Sequence, residues 1–434
     1  MEWITTDNIK KVEVTIMETK LKNWRQEELG LDEIIEKYPE VPKIIILKVE
    51  LHRRGYILSD AAQKLLDPNI YHAKSRGLFR DQDETVPMGL EFRDGTSIVG
   101  NCMAGADVVL RDPLLLDVRD GKLVITDQGK VYEEAEFWRK PDYYEKTTSK
   151  GTPMWKVLNA RSQRLDATLN RYCHFWDTPG EGCKYCAMGA VGASDKKKGL
   201  SPFLDLDDLY ESLEEALKQK GRFTQFHTTN GSILGGKELL DDEVQLYIDT
   251  FQKIAPLFKT HKIRSQVTTT ALSRKQLERL RDEAGIPYYT ADIEVLNKEL
   301  FNWICPGKAK HIGYDNWKQR LFDAVEVFGR GNVSSNIVSG VETAQPNGFK
   351  TEEEALKSTL AEAEEFAKHG VVIVNGIWQV GQNTIFKNQV SPSLDYYVHL
   401  TRDLNQIREA YGIDIYFDDY RRCGNHPATD LARI

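Results

Sequence analysis

The stretch Arg171-Tyr-Cys173-His-Phe-Trp-Asp-Thr-Pro-Gly-Glu-Gly-Cys183-Lys-Tyr-Cys186 contains three of the six cysteines of this chain within fourteen residues. Nine residues separate the first two cysteines and two separate the second pair, so the three thiolates can converge on one metal centre. Soft thiolate ligands suit both zinc and iron–sulfur clusters. A structural zinc site usually takes four ligands, and here His174 would have to supply the fourth. A four-iron cluster held by three cysteines instead leaves one iron for a small molecule, and this stretch alone does not decide between the two centres.

Composition excludes several classes of function. The chain has 434 residues, with 58 basic and 66 acidic side chains and a net charge of -8. Its longest basic run, Lys196-Lys197-Lys198, is too short for a nucleic-acid-binding arm. The amino terminus lacks a signal-peptide pattern, and no apolar run approaches the roughly twenty residues that cross a bilayer. The remaining cysteines are few and scattered, which is typical of a reducing compartment, so we expect a cytoplasmic protein. The charge balance and the lack of a long apolar run predict that it binds neither nucleic acid nor membrane.

The pattern of apolar residues divides the chain into three regions. Residues 1–150 mix short helical patterns with turns at Asp94-Gly95 and Asp120-Gly121, which predicts an N-terminal α+β accessory domain. Residues 151–392 alternate strand-like and helix-like segments, a pattern typical of a parallel sheet with crossover helices. Residues 393–434 are predicted to form a C-terminal helix and tail that close the barrel.

The alternating region contains six predicted βα units. Their strands are predicted at residues 166–173, 223–229, 263–270, 287–295, 332–339 and 371–378. Capping boxes that begin at Ser273 and Thr351 mark the start of two helices. Six units are too few for an eight-stranded barrel. The predicted fold class is therefore α/β, a partial (βα)6 TIM-type barrel whose first strand ends at Cys173.

The cysteine stretch resembles the cluster loop of the radical S-adenosylmethionine (radical SAM) superfamily, which ends in cysteine, any residue, an aromatic residue and cysteine. Tyr185 is the aromatic residue here. The glycine-rich segment 230–238 and the run Gly340-Val341-Glu342 are similar to later motifs of that superfamily. The first cysteine spacing departs from the pattern, with nine residues where three are commonest. The resemblance, over residues 166–378, implies a (βα)6 core, a [4Fe-4S] cluster and S-adenosyl-L-methionine, as in single-cluster biotin-synthase-like members.

The same resemblance gives roles to particular residues. It implies that Cys173, Cys183 and Cys186 bind three irons of the cluster. The residues that it places against S-adenosylmethionine are Tyr185, Asn230, Gly231, Ser232, Glu294, Ser339, Val341 and Ile377. Glu294 has a second interpretation, because a carboxylate inside a barrel needs a partner and an internal arginine or lysine would also serve.

The predicted strands carry more polar residues than buried parallel strands usually do, which indicates a polar interior and a small polar substrate. The candidate substrate contacts are His227, Thr268, Asp292, Asn336, Asn375 and Cys423. Other interpretations stay open: the polar groups serve the cofactor or one another, His227 fills the core, and the tail around Cys423 only closes the barrel.

The resemblance implies an enzyme that cleaves S-adenosylmethionine reductively to a 5'-deoxyadenosyl radical, which then abstracts hydrogen from the substrate. We expect a role in cofactor or secondary-metabolite biosynthesis and an electron donor such as flavodoxin or ferredoxin. Radical methyl transfer and peptide or RNA modification are the alternatives within the superfamily. Outside it, the alternative is a non-catalytic binding protein stabilised by zinc.

Overall fold

The structure is a computed structural model that describes residues 28–67, 70, 72–74, 85–87, 89–99, 112–197, 199, 201–261, 264–381, 384–415 and 424–432. Cys102 and the candidate substrate residue Cys423 lie outside the described residues. Within the described part of the chain, no helix combines the length and apolar content that a bilayer crossing requires.

Among its described residues, the N-terminal region contains three α-helices and a mixed six-stranded sheet. The helices are α1 (Leu31–Lys37), α2 (Lys43–Arg54) and α3 (Asp60–Gln63). The strands are β1 (Tyr56–Leu58), β2 (His72–Lys74), β3 (Thr85–Pro87), β4 (Gly89–Phe92), β5 (Ser97–Val99), β6 (Leu114–Arg119), β7 (Lys122–Asp127) and β8 (Lys130–Phe137). The sheet order is β1-β6-β7-β8-β4-β5, and β2 pairs with β3 separately. The two predicted Asp-Gly turns are confirmed, and they connect the antiparallel pairs β4–β5 and β6–β7.

The second sheet carries the alternating part of the chain. Its strands are β9 (Asn159–Arg161), β10 (Arg164–Thr168), β11 (Gln225–Thr229), β12 (Arg264–Thr269), β13 (Tyr288–Ala291), β14 (Val333–Ser339) and β15 (Val372–Ile377). Strands β10 to β15 are parallel and lie in chain order, while β9 pairs antiparallel with β10 at one edge. The prediction of an α/β fold with a parallel sheet is thus confirmed.

Helices precede the sheet, connect its consecutive parallel strands and follow its last strand. They are α4 (Met154–Val157), α5 (Met188–Lys197), α6 (Leu206–Ala216), α7 (Asp241–His261), α8 (Arg274–Ala284), α9 (Lys298–Ile304), α10 (Pro306–His311), α11 (Tyr314–Phe328), α12 (Glu352–Lys368), α13 (Leu394–Ala410) and α14 (Pro427–Leu431). The capping box predicted at Thr351 is present at the start of α12. At the start of α8, the Gln276 side chain accepts from the Ser273 backbone amide, but the Ser273 hydroxyl makes no hydrogen bond.

The two faces of the parallel sheet differ in chemistry because successive side chains of a strand point to opposite sides. Leu165, Phe226 and Val267 are fully buried on the helix face, where Phe226 packs against Phe251 and Phe258 of α7. Their neighbours in sequence point to the opposite face, which we call the inner face.

Helices from the N-terminal and the C-terminal regions pack beside this sheet. Helix α2 contacts β15, α13 and α14, and the buried Lys48 ammonium lies 3.0 Å from the Asp430 carboxylate. The His52 ring is 2.9 Å from the Gly424 carbonyl oxygen, and Ile413 packs against Val372 and Val374. The domain boundaries at residues 150 and 392 stay predictions. One apolar cluster includes residues from all three predicted regions, so the core does not mark these boundaries.

Candidate functional site

The cysteine stretch leaves the sheet earlier than the sequence predicts. Strand β10 ends at Thr168, and Cys173 lies five residues later, directly before a 3-10 turn at His174–Trp176. The prediction that Cys173 ends the first strand is therefore wrong. The indole of Trp176 packs so closely on Gly182 and Gly189 that a Cβ atom at these glycines would lie 2.5 and 2.4 Å from the ring. Through this packing, the nine residues between Cys173 and Cys183 fold back over helix α5.

The three predicted cluster ligands lie close enough to influence one another electrostatically. Burial raises the pKa of the Cys173 thiol, and the neighbouring Cys183 raises it further. Burial raises the pKa of the Cys186 thiol to about 12, again with contributions from Cys183 and Cys173. The described cysteines are all free thiols. The structure thus brings Cys173, Cys183 and Cys186 together at the edge where the parallel strands end.

The cysteine stretch is held from one side by the segment 304–311. The Lys184 amide donates to the Ile304 carbonyl oxygen at 2.8 Å, and the Gly307 amide donates to the Glu181 carbonyl oxygen at the same distance. The Glu181 carboxylate binds Lys310 at 2.5 Å and His311 at 2.8 Å. The same segment carries the fully buried Cys305, which lowers the pKa of Cys183 against the effect of burial.

The glycine-rich segment after β11 holds the stretch from the other side. A Cβ atom at Gly231 would lie 2.2 Å from the Tyr172 carbonyl oxygen, so glycine is required for this close approach. The Gly231 amide donates to the Asn170 carbonyl oxygen, and the His174 amide donates to the Ser232 carbonyl oxygen, both at 2.9 Å. Asn230 keeps its amide oxygen buried without a hydrogen-bond partner. Gly231 and Ser232 thus lie beside Cys173.

Glu243, on α7, fastens the ends of β11 and β12 together. Its fully buried carboxylate accepts hydrogen bonds from the Ile233 amide at 2.9 Å, the Thr270 amide at 2.7 Å and the Thr270 hydroxyl at 2.8 Å. The Thr270 hydroxyl also lies 2.7 Å from the Ser232 hydroxyl. Burial raises the pKa of the Glu243 carboxyl, and the three donors oppose that shift.

Glu294 pairs with an internal lysine, the alternative that the sequence left open. The Lys308 ammonium lies 2.7 Å from a Glu294 carboxylate oxygen and 2.7 Å from the Asp292 carbonyl oxygen. Burial would lower the pKa of Lys308, but the Glu294 carboxylate raises it above its usual value. Glu294 has a backbone φ of 71°, a left-handed conformation that is uncommon outside glycine and is often found at functional sites.

The Asp292 carboxyl lies beside this pair. It accepts a hydrogen bond from the backbone amide of Asn336 at 3.0 Å. Burial raises the pKa of Asp292 to about 7, with Glu294 adding to the shift and Lys308 opposing it. The Asn336 side-chain oxygen is buried and has no hydrogen-bond partner. A bound ligand with a donor group would satisfy this oxygen.

His227 lies on the inner face between two polar side chains. Its Nδ1 is 2.9 Å from the Asp166 carboxylate, and its Nε2 is 2.9 Å from the Thr268 hydroxyl. The Asp166 carboxylate also pairs with Arg161 at 2.8 Å and Arg164 at 3.1 Å. Burial lowers the pKa of His227, and the Asp166 hydrogen bond opposes this. The His227 side chain remains 14% exposed.

The remaining predicted site residues lie around β14 and β15. Ser339 donates to the Gly376 carbonyl oxygen at 2.8 Å, Val341 is fully buried in a 3-10 turn, and Ile377 is nearly buried in the apolar cluster. The amide of Asn375 donates to the Thr401 hydroxyl of α13 at 3.1 Å. This contact directs Asn375 to the helix face, away from the other candidate substrate residues.

Four residues of the site were not found from the sequence: Asp166, Glu243, Cys305 and Lys308. Cys305 and Lys308 lie more than a hundred residues from Cys183 along the chain, and no spacing pattern links them. Asp166 and His227 both fall on predicted strands, and their pairing follows only from the register of β10 with β11.

A single metal ion and a four-iron cluster need different arrangements of their ligands. Among the residues that the structure describes, no three cysteine, histidine or carboxylate side chains are arranged to bind one ion. A four-iron cluster does not require that arrangement, because each thiolate binds a different iron. Three thiols at the end of a parallel sheet, next to a glycine-rich segment, fit the chemistry of such a cluster.

No family model and no curated protein matches this chain. Solved structures to which it is similar include methylornithine synthase, at 11% identity over 63% of this chain and 79% of that chain with a TM-score of 0.39. A radical SAM methyltransferase from Sphaerobacter thermophilus matches at 13% identity over 92% of this chain and 98% of that chain, with a TM-score of 0.37. A radical S-adenosylmethionine methyltransferase from Kitasatospora setae, solved with cobalamin and a [4Fe-4S] cluster, matches at 12% identity over 50% of this chain and 37% of that chain, with a TM-score of 0.34. All three TM-scores are below 0.5, so the assignment of function rests on the residues of this chain.

Proposed function

We propose that this chain is a single-cluster radical SAM enzyme that acts on a small polar substrate. One observation carries the proposal: Cys173, Cys183 and Cys186 lie together at the carboxyl edge of the parallel sheet, held between the segments 230–234 and 304–311. Ligands of parallel α/β folds gather at this edge. Three thiolates there would hold three irons of a [4Fe-4S] cluster and leave the fourth for S-adenosylmethionine.

Cys173, Cys183 and Cys186 would hold a cluster that, when reduced, supplies the one electron for cleaving the C5'–S bond of S-adenosylmethionine into methionine and the 5'-deoxyadenosyl radical that abstracts hydrogen from the substrate. The protein itself would position S-adenosylmethionine and the substrate, and it would exclude water from the radical. Gly231 and Ser232 lie next to Cys173, where a ligand of the fourth iron would place its polar groups. Asn230 and Asn336 each hold a buried side-chain oxygen without a hydrogen-bond partner, and these oxygens are available to donors of a bound molecule.

The sheet supports a partial (βα)6 barrel of the TIM type as the scaffold. Six parallel strands in chain order with helices between them are the repeat of such a barrel, and the two outer strands of the sheet are β9 and β15. We propose that the N-terminal α+β region is an accessory domain and that the C-terminal helices close the open side of this barrel.

The inner face supports a small polar molecule as the substrate. The His227 ring, held on one side by the Asp166 carboxylate and on the other by the Thr268 hydroxyl, lies on this face and makes it polar. Asp292, whose pKa is raised to about 7 by burial, can exchange a proton near neutral pH. We propose biosynthesis of a cofactor or secondary metabolite in the cytoplasm, with electrons from a flavodoxin or ferredoxin and no nucleic-acid partner.

The experiment is anaerobic reconstitution with iron and sulfide, followed by reduction with dithionite in the presence of S-adenosylmethionine. We expect a brown protein with about four irons per chain, since this is the composition of the cluster, and release of 5'-deoxyadenosine that depends on dithionite. The control is the same protein loaded with zinc, which should release none. A colourless protein that binds zinc tightly and yields no 5'-deoxyadenosine after reconstitution would contradict the proposal.

A further inference from the structure

We propose that the Thr268 hydroxyl accepts a hydrogen bond from the substrate, which is therefore a molecule that presents an O–H or N–H donor to the inner face at β12. In this account His227 and Asp166 are positioning residues that fix the direction of the hydrogen bond. The inference rests on the proposed function, because it names the class of substrate that the inner face would bind.

Space for a bound molecule lies beside Thr268 on the inner face. One row of side chains across the sheet is partly exposed, and it contains His227, Thr268, Asp292 and Asn336. The next row, farther from the edge that carries the cysteine stretch, is buried. Hydrogen bonds close it at 3.4 Å from Gln225 to Gln266, 2.9 Å from Gln266 to Thr290 and 2.8 Å from Thr290 to Ser334. A molecule on the inner face would thus rest on the buried row and contact the exposed one.

Asp166 fixes the proton on one side of the His227 ring. Its carboxylate lies 2.8 Å from the Arg161 guanidinium and 3.1 Å from that of Arg164, and two positive charges at these distances favour its ionised form. An ionised carboxylate only accepts hydrogen bonds. The His227 Nδ1 lies 2.9 Å from this carboxylate, so it carries a proton and donates the hydrogen bond.

The other ring nitrogen then fixes the direction of the Thr268 hydroxyl. Burial lowers the pKa of His227, Asp166 opposes this shift, and the arginines add to it, so the ring is neutral near neutral pH and its Nε2 is an acceptor. The Thr268 hydroxyl lies 2.9 Å from Nε2. Because a hydroxyl has a single proton, Thr268 donates that proton to His227 and keeps only acceptor sites for another partner.

The backbone holds Thr268 in this orientation. The Tyr247 hydroxyl donates to the Thr268 carbonyl oxygen at 2.6 Å, and β12 is paired with β11 on one side and β13 on the other. Threonine is also β-branched, which restricts its side-chain rotation. Among the described residues, His227 is the one hydrogen-bond partner of the Thr268 hydroxyl. The oxygen can therefore accept from a molecule on the inner face.

This direction discriminates between chemically similar molecules. A hydroxyl or amino group can donate to the Thr268 oxygen, whereas an ether, carbonyl or carboxylate oxygen would place one acceptor against another. A second acceptor lies in the same row, since the buried Asn336 side-chain oxygen has no hydrogen-bond partner among the described residues. The row thus favours a substrate with hydroxyl or amino groups.

The test measures binding of two probes and of their methylated analogues by ligand-observed nuclear magnetic resonance. Glycerol is compared with its trimethyl ether, and ethanolamine is compared with O-methylcholine, which has the same charge but no donor. The ratio of the two affinities, the donor preference, is determined for each variant, so that the effect of ligand size cancels between proteins. The variants are Thr268→Val, Thr268→Ser and His227→Phe, with Thr228→Val as the matched control.

We expect the donor preference to fall about two- to tenfold in Thr268→Val, the worth of one hydrogen bond. Thr268→Ser keeps the hydroxyl and should restore the preference. Thr228→Val should match wild type, because the Thr228 hydroxyl is fully buried and has no hydrogen-bond partner among the described residues. In His227→Phe the Thr268 hydroxyl can donate as well as accept, so the preference should fall although the hydroxyl remains.

The state of the His227 ring is measured separately, with isotope-labelled histidine in the full chain. Near neutral pH we expect one protonated and one unprotonated ring nitrogen, with the resonance of the unprotonated nitrogen shifted in Thr268→Val and unchanged in Thr228→Val. The signal is assigned by its absence from His227→Phe. A ring protonated on both nitrogens would overturn the inference, because Thr268 would then accept from His227 and be free to donate.

Two binding results would also overturn it. One is an equal donor preference in wild type and Thr268→Val, including the case in which neither protein binds the probes. The other is an equal fall in Thr228→Val, which would indicate packing alone. All measurements are made with and without the reconstituted cluster. A wild type that forms no cluster contradicts the proposed function, whereas a cluster-bearing wild type without donor preference contradicts this inference alone.

Discussion

Cys183→Ala is expected to abolish cluster assembly and 5'-deoxyadenosine release. The variant leaves two of three thiolates, and the loss should exceed about 100-fold, because even changes outside the ligand shell of metal sites cost 10–100-fold. Cys183 is also the most buried of the three, at 7% exposure, so solvent cannot easily supply a replacement ligand. Iron content after anaerobic reconstitution and chromatographic detection of 5'-deoxyadenosine provide the measurements.

Lys184→Ala is the matched control for this prediction. It changes the neighbouring side chain but keeps the backbone amide that binds the Ile304 carbonyl oxygen. We expect it to retain wild-type iron and most of the product. Full iron content in Cys183→Ala, with product at the wild-type level, would show that this cysteine is not a ligand.

Glu243→Ala is expected to lower the free energy of unfolding by about 3–5 kcal/mol, since it leaves three buried donors without an acceptor and each costs about 1–3 kcal/mol. The donors are the Ile233 amide and the amide and hydroxyl of Thr270. Ile233 follows Ser232, which binds the His174 amide, so the cysteine stretch should also loosen. Urea unfolding of the metal-free protein measures the change.

Two further variants define what is lost in Glu243→Ala. Glu243→Gln keeps one side-chain oxygen as an acceptor, so it should lower the free energy of unfolding by less than Glu243→Ala does. Gln245→Ala, on the exposed side of the same helix turn, should change the free energy of unfolding by less than about 0.5 kcal/mol, as surface substitutions usually do. Equal free energies of unfolding for Glu243→Ala and Gln245→Ala would contradict the role given to this carboxylate.

The parallel sheet could be predicted from the sequence because its signals are local. Apolar strands, amphipathic helices and capping boxes repeat along the chain, and the predicted strands lie within a few residues of β11 to β15. The exit of β10 was placed five residues too late. The chain bends at Leu169 and Arg171, whose amides donate to the carbonyl oxygens of Thr229 and Pro202 outside the strand.

The site could be predicted only where its residues are close in sequence. The three cysteines and Gly231 follow from local patterns. Cys305, Lys308 and Glu243 reach the site through tertiary packing, which no spacing reveals. Asn375 shows the converse error. It was predicted to be a polar residue of the inner face, but its side-chain amide donates a hydrogen bond to the Thr401 hydroxyl of α13. A strand's polar residues therefore indicate a ligand only after the direction of each side chain is known.

The most direct test of the central claim is whether S-adenosylmethionine binds the cluster itself. The reconstituted, reduced protein is examined by electron paramagnetic resonance before and after S-adenosylmethionine is added. With three thiolates from Cys173, Cys183 and Cys186 and one open iron, the signal of the reduced cluster should change in shape when S-adenosylmethionine is added. A signal that is identical with and without S-adenosylmethionine, from a fully loaded cluster, would contradict the account.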